Sequence, residues 1–325
     1  MPEEEATIIY HYTSEEGMRG IVESDRIWAT DIGFLNDYTE FRQAFKEEYV
    51  GALTDAFREG LPKDLYDTAR VVIEGILSKR ISNILKIIQD SISTHQAFVF
   101  SFTTLPQPSG ADPGDRLSQW RGYSRSSQGL SLGFNKTLLT KQIEFDNGYS
   151  KAVLLECIYE DKETFSFFQT MGREAAMRFK DRWLRNEPVP DWFQTLIPNP
   201  TEEYKKTQVY FLKSLSEATA EFFTKAARLK HSGFREECEW RIVFYARRDA
   251  LAPDFVRLRN GQFGQTPFIE IPLALAKPEK SSLQRIVVGP SDHKEDIKHS
   301  VELLLRKHGI NGVEVATSLI PYRSA

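Results

Sequence analysis

Cysteine is scarce: Cys157 and Cys238 are the two thiols in 325 residues. They make no disulfide framework and lack the spacing of a zinc site, so the expectation is two reduced thiols in a cytoplasmic protein. Long apolar runs are also missing. The longest candidate, ARVVIEGILSKRISNILKII, is interrupted by Glu74, Lys79, Arg80 and Lys86, short of the ~20 apolar residues a membrane span needs. The leading MPEEEA is acidic, unlike a secretory signal, so no membrane partner is expected. A basic excess is lacking as well. The net charge of -4 gives no global positive field to gather nucleic acid, although a local basic groove is compatible with it. GxxxxGK[ST], GxGxxG, HExxH, CxxC and GxSxG do not occur. Their absence removes the common P-loop, Rossmann, zincin and α/β-hydrolase signatures. No repeat or low-complexity tract is seen.

What remains is an ordinary globular composition, 41% hydrophobic and 27% charged, long enough for two domains or for one with large insertions. ATIIYHY reads as a strand, and Thr13 with Glu16 fits a capping box that opens a short helix. RIWATDI is a second strand. Asp37 and Glu40 repeat the cap spacing, and Phe41, Phe45, Tyr49, Leu53 and Phe57 recur every fourth residue, the stripe of an amphipathic helix. A second helix is expected over about 63–94 and helical pattern again over 160–230, broken at EPVPDWFQTLIPNP. QAFVFSFTT, GLSLGF, KAVLLECIY, ECEWRIVFY, FVRLRNGQ, TPFIEIPL, LQRIVVGP and VEVATSLI read as strands. Strands at both ends and in the middle, with helical blocks at 37–94 and 160–230, predict an α+β fold rather than a regular βαβ alternation.

Five stretches carry groups able to do chemistry. Tyr10-His11-Tyr12-Thr13-Ser14 sets an imidazole at a strand end before a helix start. The imidazole can direct one oriented hydrogen bond, or it can simply be a satisfied core histidine. In Phe34-Leu35-Asn36-Asp37 the cap explains Asp37 but not Asn36. Ser118-Gln119-Trp120-Arg121-Gly122-Tyr123 offers rings to stack on a flat ligand and a guanidinium for an anion, or a loop pinned by a buried Trp. Arg235-Glu236-Glu237-Cys238-Glu239-Trp240-Arg241 crowds three carboxylates. If 237–245 is one strand, Glu237 and Glu239 share a face, either as a solvated edge or as an acidic strand start aimed into a cleft. Val288-Gly289-Pro290-Ser291 reads as an ordinary strand-to-helix turn.

Taken in order, YHYTS, the FLND stretch with Glu40, FSFTT, LSQWRGYS, GLSLGF, FREECEWRIV and RIVVGP resemble the bacterial DUF2971 family over about residues 8–322. That family is similar to the ADP-ribosyltransferase superfamily. The resemblance implies a split antiparallel β-sheet core with NAD, as co-substrate, in the cleft, and two large helical insertions in a single domain. It implies His11 on the ribose 2′-OH and Thr13 near the adenosine or carboxamide. It places Glu239 as the catalytic glutamate and Glu237 as the acid that orients the acceptor. Ser101-Phe102-Thr103 resembles a Ser-Thr-Ser strand. Tyr12, Ser14, Asn36, Ser101, Trp120, Arg121 and Tyr123 complete the expected cofactor-binding set, with no metal. The implied function is NAD-dependent ADP-ribosyl transfer, as in a toxin or phage-defence effector. The acceptor, protein or nucleic acid, is unidentified, and the helical insertions offer surfaces for a homo-oligomer. A non-catalytic nucleotide- or protein-binding module and an NAD glycohydrolase are the alternatives. A nuclease lacks a second carboxylate motif to complete a metal site.

Overall fold

A computed structural model describes residues 7–35, 47–78, 95–105, 110–123, 129–146, 150–159, 161–191, 199–252, 254–261, 264–277, 279 and 281–321. Asn36, the Asp37–Glu40 cap, Phe41, Phe45 and the far half of the 63–94 helix lie outside the described residues. By contact density the chain divides into two compact units. One comprises Met1–Leu35, Ala97–Cys157 and Gly233–Ala325, the other Asn36–Gln96 and Ile158–Ser232.

The first unit is built on a sheet whose strands are β1 (Ile8–Ser14), β2 (Arg26–Asp31), β3 (His95–Thr103), β4 (Gly129–Asn135), β5 (Phe145–Asp146), β6 (Ser150–Glu156), β7 (Glu239–Arg247), β8 (Arg257–Gly261), β9 (Gly264–Pro272), β10 (Leu283–Val288) and β11 (Glu314–Thr317). Their main order is β11-β10-β4-β1-β3-β2-β9-β8, while β7 pairs with both β3 and β6. Every described ladder is antiparallel except β10–β11. Together with the helices this is an α+β protein on a mixed, mostly antiparallel sheet.

Alternation along each strand decides the two faces. Ile9, Phe98, Phe100, Phe102, Leu132, Ile242 and Ile286 point into the main core. Helices α1 (Glu15–Ser24), α5 (Lys136–Ile143) and α8 (Lys294–Lys307) cover them with Met18, Val22, Leu139, Val301 and Leu305. Each such side chain removed from water is worth about 1.5–3 kcal/mol. The opposite face carries Tyr10, Tyr12 and Val287, packed by Trp120 from the short helix α4 (Leu117–Tyr123).

Local chemistry corrects the sequence reading in three places. The cap of α1 is Ser14, whose Oγ accepts the Gly17 N–H, not Thr13. A Cβ on Gly17 would lie 2.2 Å from Thr13 Oγ1, so that hydroxyl fills the space a side chain would need. Glu237 is not on a strand: Ser232–Glu237 is a 3₁₀ turn, Cys238 has φ 44°, and β7 begins at Glu239. The left-handed residue resets the alternation that would have put Glu237 and Glu239 on one face. LSQWRGY is a helix rather than a loop.

In the second unit, α2 (Glu47–Gly60), α3 (Lys63–Ser78), α6 (Asp161–Arg185) and α7 (Glu202–Ala226) bury an aromatic core. Tyr49 stacks on Phe168 at 5.2 Å and Phe57 meets Phe179 and Phe211 edge-on. Tyr49, Leu53 and Phe57 are all buried, so this described part of the every-fourth-residue stripe is the packing face. Helix α6 approaches α2 so closely that a Cβ on Gly172 would sit 2.2 Å from the Leu53 carbonyl oxygen. A Cβ on Gly75, exposed on α3, would meet nothing within 4 Å. Gly75→Ala is expected to stabilise by about 0.5–1 kcal/mol through helix propensity. Gly172→Ala is expected to lose about 1–3 kcal/mol, because a backbone cannot yield as a side chain can. Urea melts of the two variants check both signs.

Candidate functional site

Three strands pair with β3, and several of the candidate residues lie near its end. Among the described residues β1 meets β3 at a single pair, Tyr10 opposite Thr103, whereas β1 and β4 pair over seven residues. One residue past that pair, the His11 ring takes up a backbone acceptor on β3: Nδ1 lies 2.9 Å from the Ser101 carbonyl oxygen. A carbonyl can only accept, so Nδ1 carries the proton and Nε2 is left with its lone pair. The ring lies on Phe100, with centroids 4.1 Å apart, and edge-on to Phe102. Burial among these groups lowers the His11 pKa to about 4, against the smaller opposing effect of the Ser101 bond. The imidazole is therefore neutral at pH 7.

On the other face, the loop after β3 folds back over β1. The Tyr12 hydroxyl donates to the Pro113 carbonyl at 2.8 Å and accepts the Arg116 N–H at 3.0 Å. Burial raises the Tyr12 pKa and keeps it a phenol. Gly114 lies against the Tyr10 ring, where a Cβ would come within 2.4 Å; on the adjacent strand a Cβ on Gly133 would come within 2.7 Å. Asp112 caps Gly114 N–H and pairs with Arg285 at 2.7 Å. Asp115 accepts the Trp120 indole N–H at 2.8 Å, the Ser318 hydroxyl and the Leu319 N–H.

Arg116 ties this loop to the acidic turn. It donates to Thr103 Oγ1 at 3.1 Å and to the Glu236 carbonyl, and Thr103 in turn donates to the Glu237 carbonyl. The Glu237 carboxylate receives the Tyr123 hydroxyl at 3.2 Å, and Tyr123 is 49% exposed. Glu239 is placed differently. It is 4% exposed and held bidentate by Arg241, two residues along the same strand, at 2.7 and 3.1 Å. A buried pair of this kind fixes geometry more than it adds stability, and removing one partner strands the other charge. Burial raises the Cys238 pKa, so the thiol between the two glutamates is no ready nucleophile.

The sequence-derived residues thus fall into separate groups. His11 and Ser101 meet through backbone and ring. Glu237 and Tyr123 meet at an open surface, with Arg121 exposed on the same short helix. Trp120 is spent on packing: it is 3% exposed and edge-on to Tyr12 at 4.6 Å. Ser14 caps α1 and Thr13 packs by Gly17. Glu239 alternates with Trp240 and Ile242 of the main core, so it leaves the sheet on the face opposite to His11. Asn36 lies outside the described residues. Arg116, Asp112 and Asp115 were not singled out by the sequence reading. Their signal was the charge set around Pro-Gly in DPGDR, where Asp ends a turn and Arg follows it. Among the described residues, no group of three or more His, Cys, Asp or Glu side chains is placed to hold a metal ion. No described helix is long and apolar enough to cross a membrane.

This α+β architecture, with a charged loop closing over a branched strand, carries a family match. Residues 119–242 match the model described as Protein of unknown function (DUF2971), which supports the DUF2971 reading drawn from the motifs. The match contains Trp120, Arg121, Tyr123, Glu237 and Glu239; His11 precedes it. No curated protein and no solved structure matches the chain.

His11 supplies a pH test. The unfolded imidazole titrates near 6.5 and the folded one near 4. Between these values the unfolded chain binds the proton and the folded chain does not, so stability falls as pH drops from about 6.5 towards 4, by about 1.4 kcal/mol per pH unit at most. Unfolding free energies of wild type and His11→Gln across this range should converge as pH falls. Parallel curves would show that His11 does not titrate this way.

Proposed function

We propose that the chain is an NAD-dependent enzyme of the ADP-ribosyltransferase type, with its site at the end of β3. The observation that carries this reading is the neutral His11, with Nδ1–H fixed on Ser101 and Nε2 left as an acceptor. Thr103, which holds the backbone of Glu237, is two residues away along the strand, a span of about 7 Å. An acceptor nitrogen suits a ribose hydroxyl. A carboxylate suits the positive charge that grows on the anomeric carbon as a glycosidic bond breaks. On this reading the nicotinamide–ribose bond breaks, and nicotinamide leaves with the bonding pair and loses its ring charge. The acceptor, a protein or nucleic-acid group, then bonds the anomeric carbon and gives up a proton. Water in that place makes the enzyme a glycohydrolase.

On this reading one role shifts. Glu239 is sealed on Arg241, so the carboxylate that meets the ligand is Glu237, positioned by the Tyr123 hydroxyl; Glu239 and Arg241 act as a positioning pair. The split core expected of this superfamily belongs to the same reading, with β3 as the shared strand.

The placement of His11 and Glu239 on opposite faces favours a second reading, a binding module that does not turn over. Nicotinamide release from NAD, followed by chromatography with cell extract as the acceptor pool, separates the two. The enzyme reading expects release by wild type and a loss of about 100-fold or more in Glu237→Gln, with melting temperature unchanged because Glu237 is not buried. A melting temperature raised by NAD without release would assign the binding module. Neither effect at millimolar NAD would sink both readings.

A further inference from the structure

The β2–β9–β8 part of the sheet turns a second chemical surface outward. Arg26, Trp28 and Thr30 alternate with the core residues Ile27 and Ala29. Cross-strand pairing puts Thr30 and Arg257 opposite Phe268, Trp28 opposite Glu270, and Arg259 opposite Thr266. Directly opposed residues in an antiparallel ladder share a face, so these side chains form one patch. Trp28 is 39% exposed and its ring lies 4.6 Å from Phe268, tilted by 35°. The Arg259 guanidinium stands 5.8 Å from the Trp28 centroid and 5.9 Å from that of Phe268.

Charge on the patch is unbalanced. Glu270 is shared by Arg257 at 2.8 Å and Arg26 at 3.7 Å. Among the described residues, Arg259 meets no carboxylate and makes one hydrogen bond, to Thr30 Oγ1 at 2.8 Å. Its pKa is lowered by burial alone, which marks a guanidinium drawn from water without an anion in return. Nature covers such a cost with a carboxylate or a phosphate. Three arginines facing one glutamate beside an open indole match the needs of a nucleotide unit: a ring face for the base and an unpaired fork for the phosphate.

We propose that this face binds single-stranded nucleic acid, one base stacking on Trp28 and its phosphate taken by Arg259, with Arg257 and Arg26 extending the track across β8 and β2. The site stands apart from the NAD reading and needs no turnover. A net charge of -4 is no obstacle, because the field that counts is local and acts over about one Debye length.

Fluorescence anisotropy of a short labelled oligothymidylate tests it on the full chain at several salt concentrations. The expected result is affinity that falls with rising salt, with Trp28→Ala and Arg259→Gln each weakening it about 5- to 100-fold while circular dichroism and melting stay as in wild type. Oligothymidylate should also quench wild-type tryptophan emission more than that of Trp28→Phe. Should Arg259→Gln fold poorly, Arg259→Lys keeps the charge without the planar fork and is expected to bind more weakly than wild type. Absence of salt-dependent binding, binding retained in both the Trp28 and Arg259 variants, or competition by thymidine monophosphate as strong as by the oligomer would each overturn the proposal.

Discussion

A strand has two edges, and β3 pairs with three strands, β1, β2 and β7. That count is the constraint from which the arrangement of the first unit follows. Three partners cannot all run the full length of β3: among the described pairs β1 holds it at Thr103 and β2 holds it at Val99 and Phe98. Ser101 lies between these residues along the strand, and a backbone carbonyl left unmet in such a place costs about 1–3 kcal/mol. The His11 ring meets it. The histidine of β1 is thus first a partner for a backbone carbonyl of β3, and the same contact fixes which nitrogen keeps its lone pair.

The far end of β3 meets the converse requirement. Where the strand ends, Thr103 and Arg116 take over from ladder hydrogen bonds and hold the Glu236–Glu237 backbone. The acidic turn is therefore positioned by groups that are not themselves acidic. The Glu239–Arg241 pair, one residue past Cys238, is sealed by contrast. Two glutamates close in sequence live in different dielectric surroundings, which is how one segment supplies both a fixed internal charge and an accessible one.

Much of this fold was legible in the sequence because period-two alternation is a direct record of burial. β1, β2, β4, β9 and β10 each show it or show a continuous apolar run. The α2 stripe of Tyr49, Leu53 and Phe57 was equally plain. The short helices were not: α4 and α5 span 7 and 8 residues, about two turns, too few to establish a period. Position 238 fits the strand pattern in sequence, because nothing about a cysteine announces φ 44°. Of the candidate site, the residue types around His11 and Glu237 were visible, but their partners were not. Arg116 and Asp115 act through contacts more than a hundred residues away in sequence, with Glu236 and Ser318 respectively, and spacing carries no trace of such contacts.

Tyr10 lies between Gly114 and Gly133, neither of which has room for a methyl group. One glycine lies in a loop and the other in a neighbouring strand, yet both are set by the thickness of one aromatic ring. The three positions are therefore sterically coupled. A related chain that places a larger residue at either glycine must shrink the ring at the tyrosine, and one that keeps the tyrosine keeps both glycines. The loop that carries Arg116 is thus tied to β1 by ring packing as well as by its hydrogen bonds.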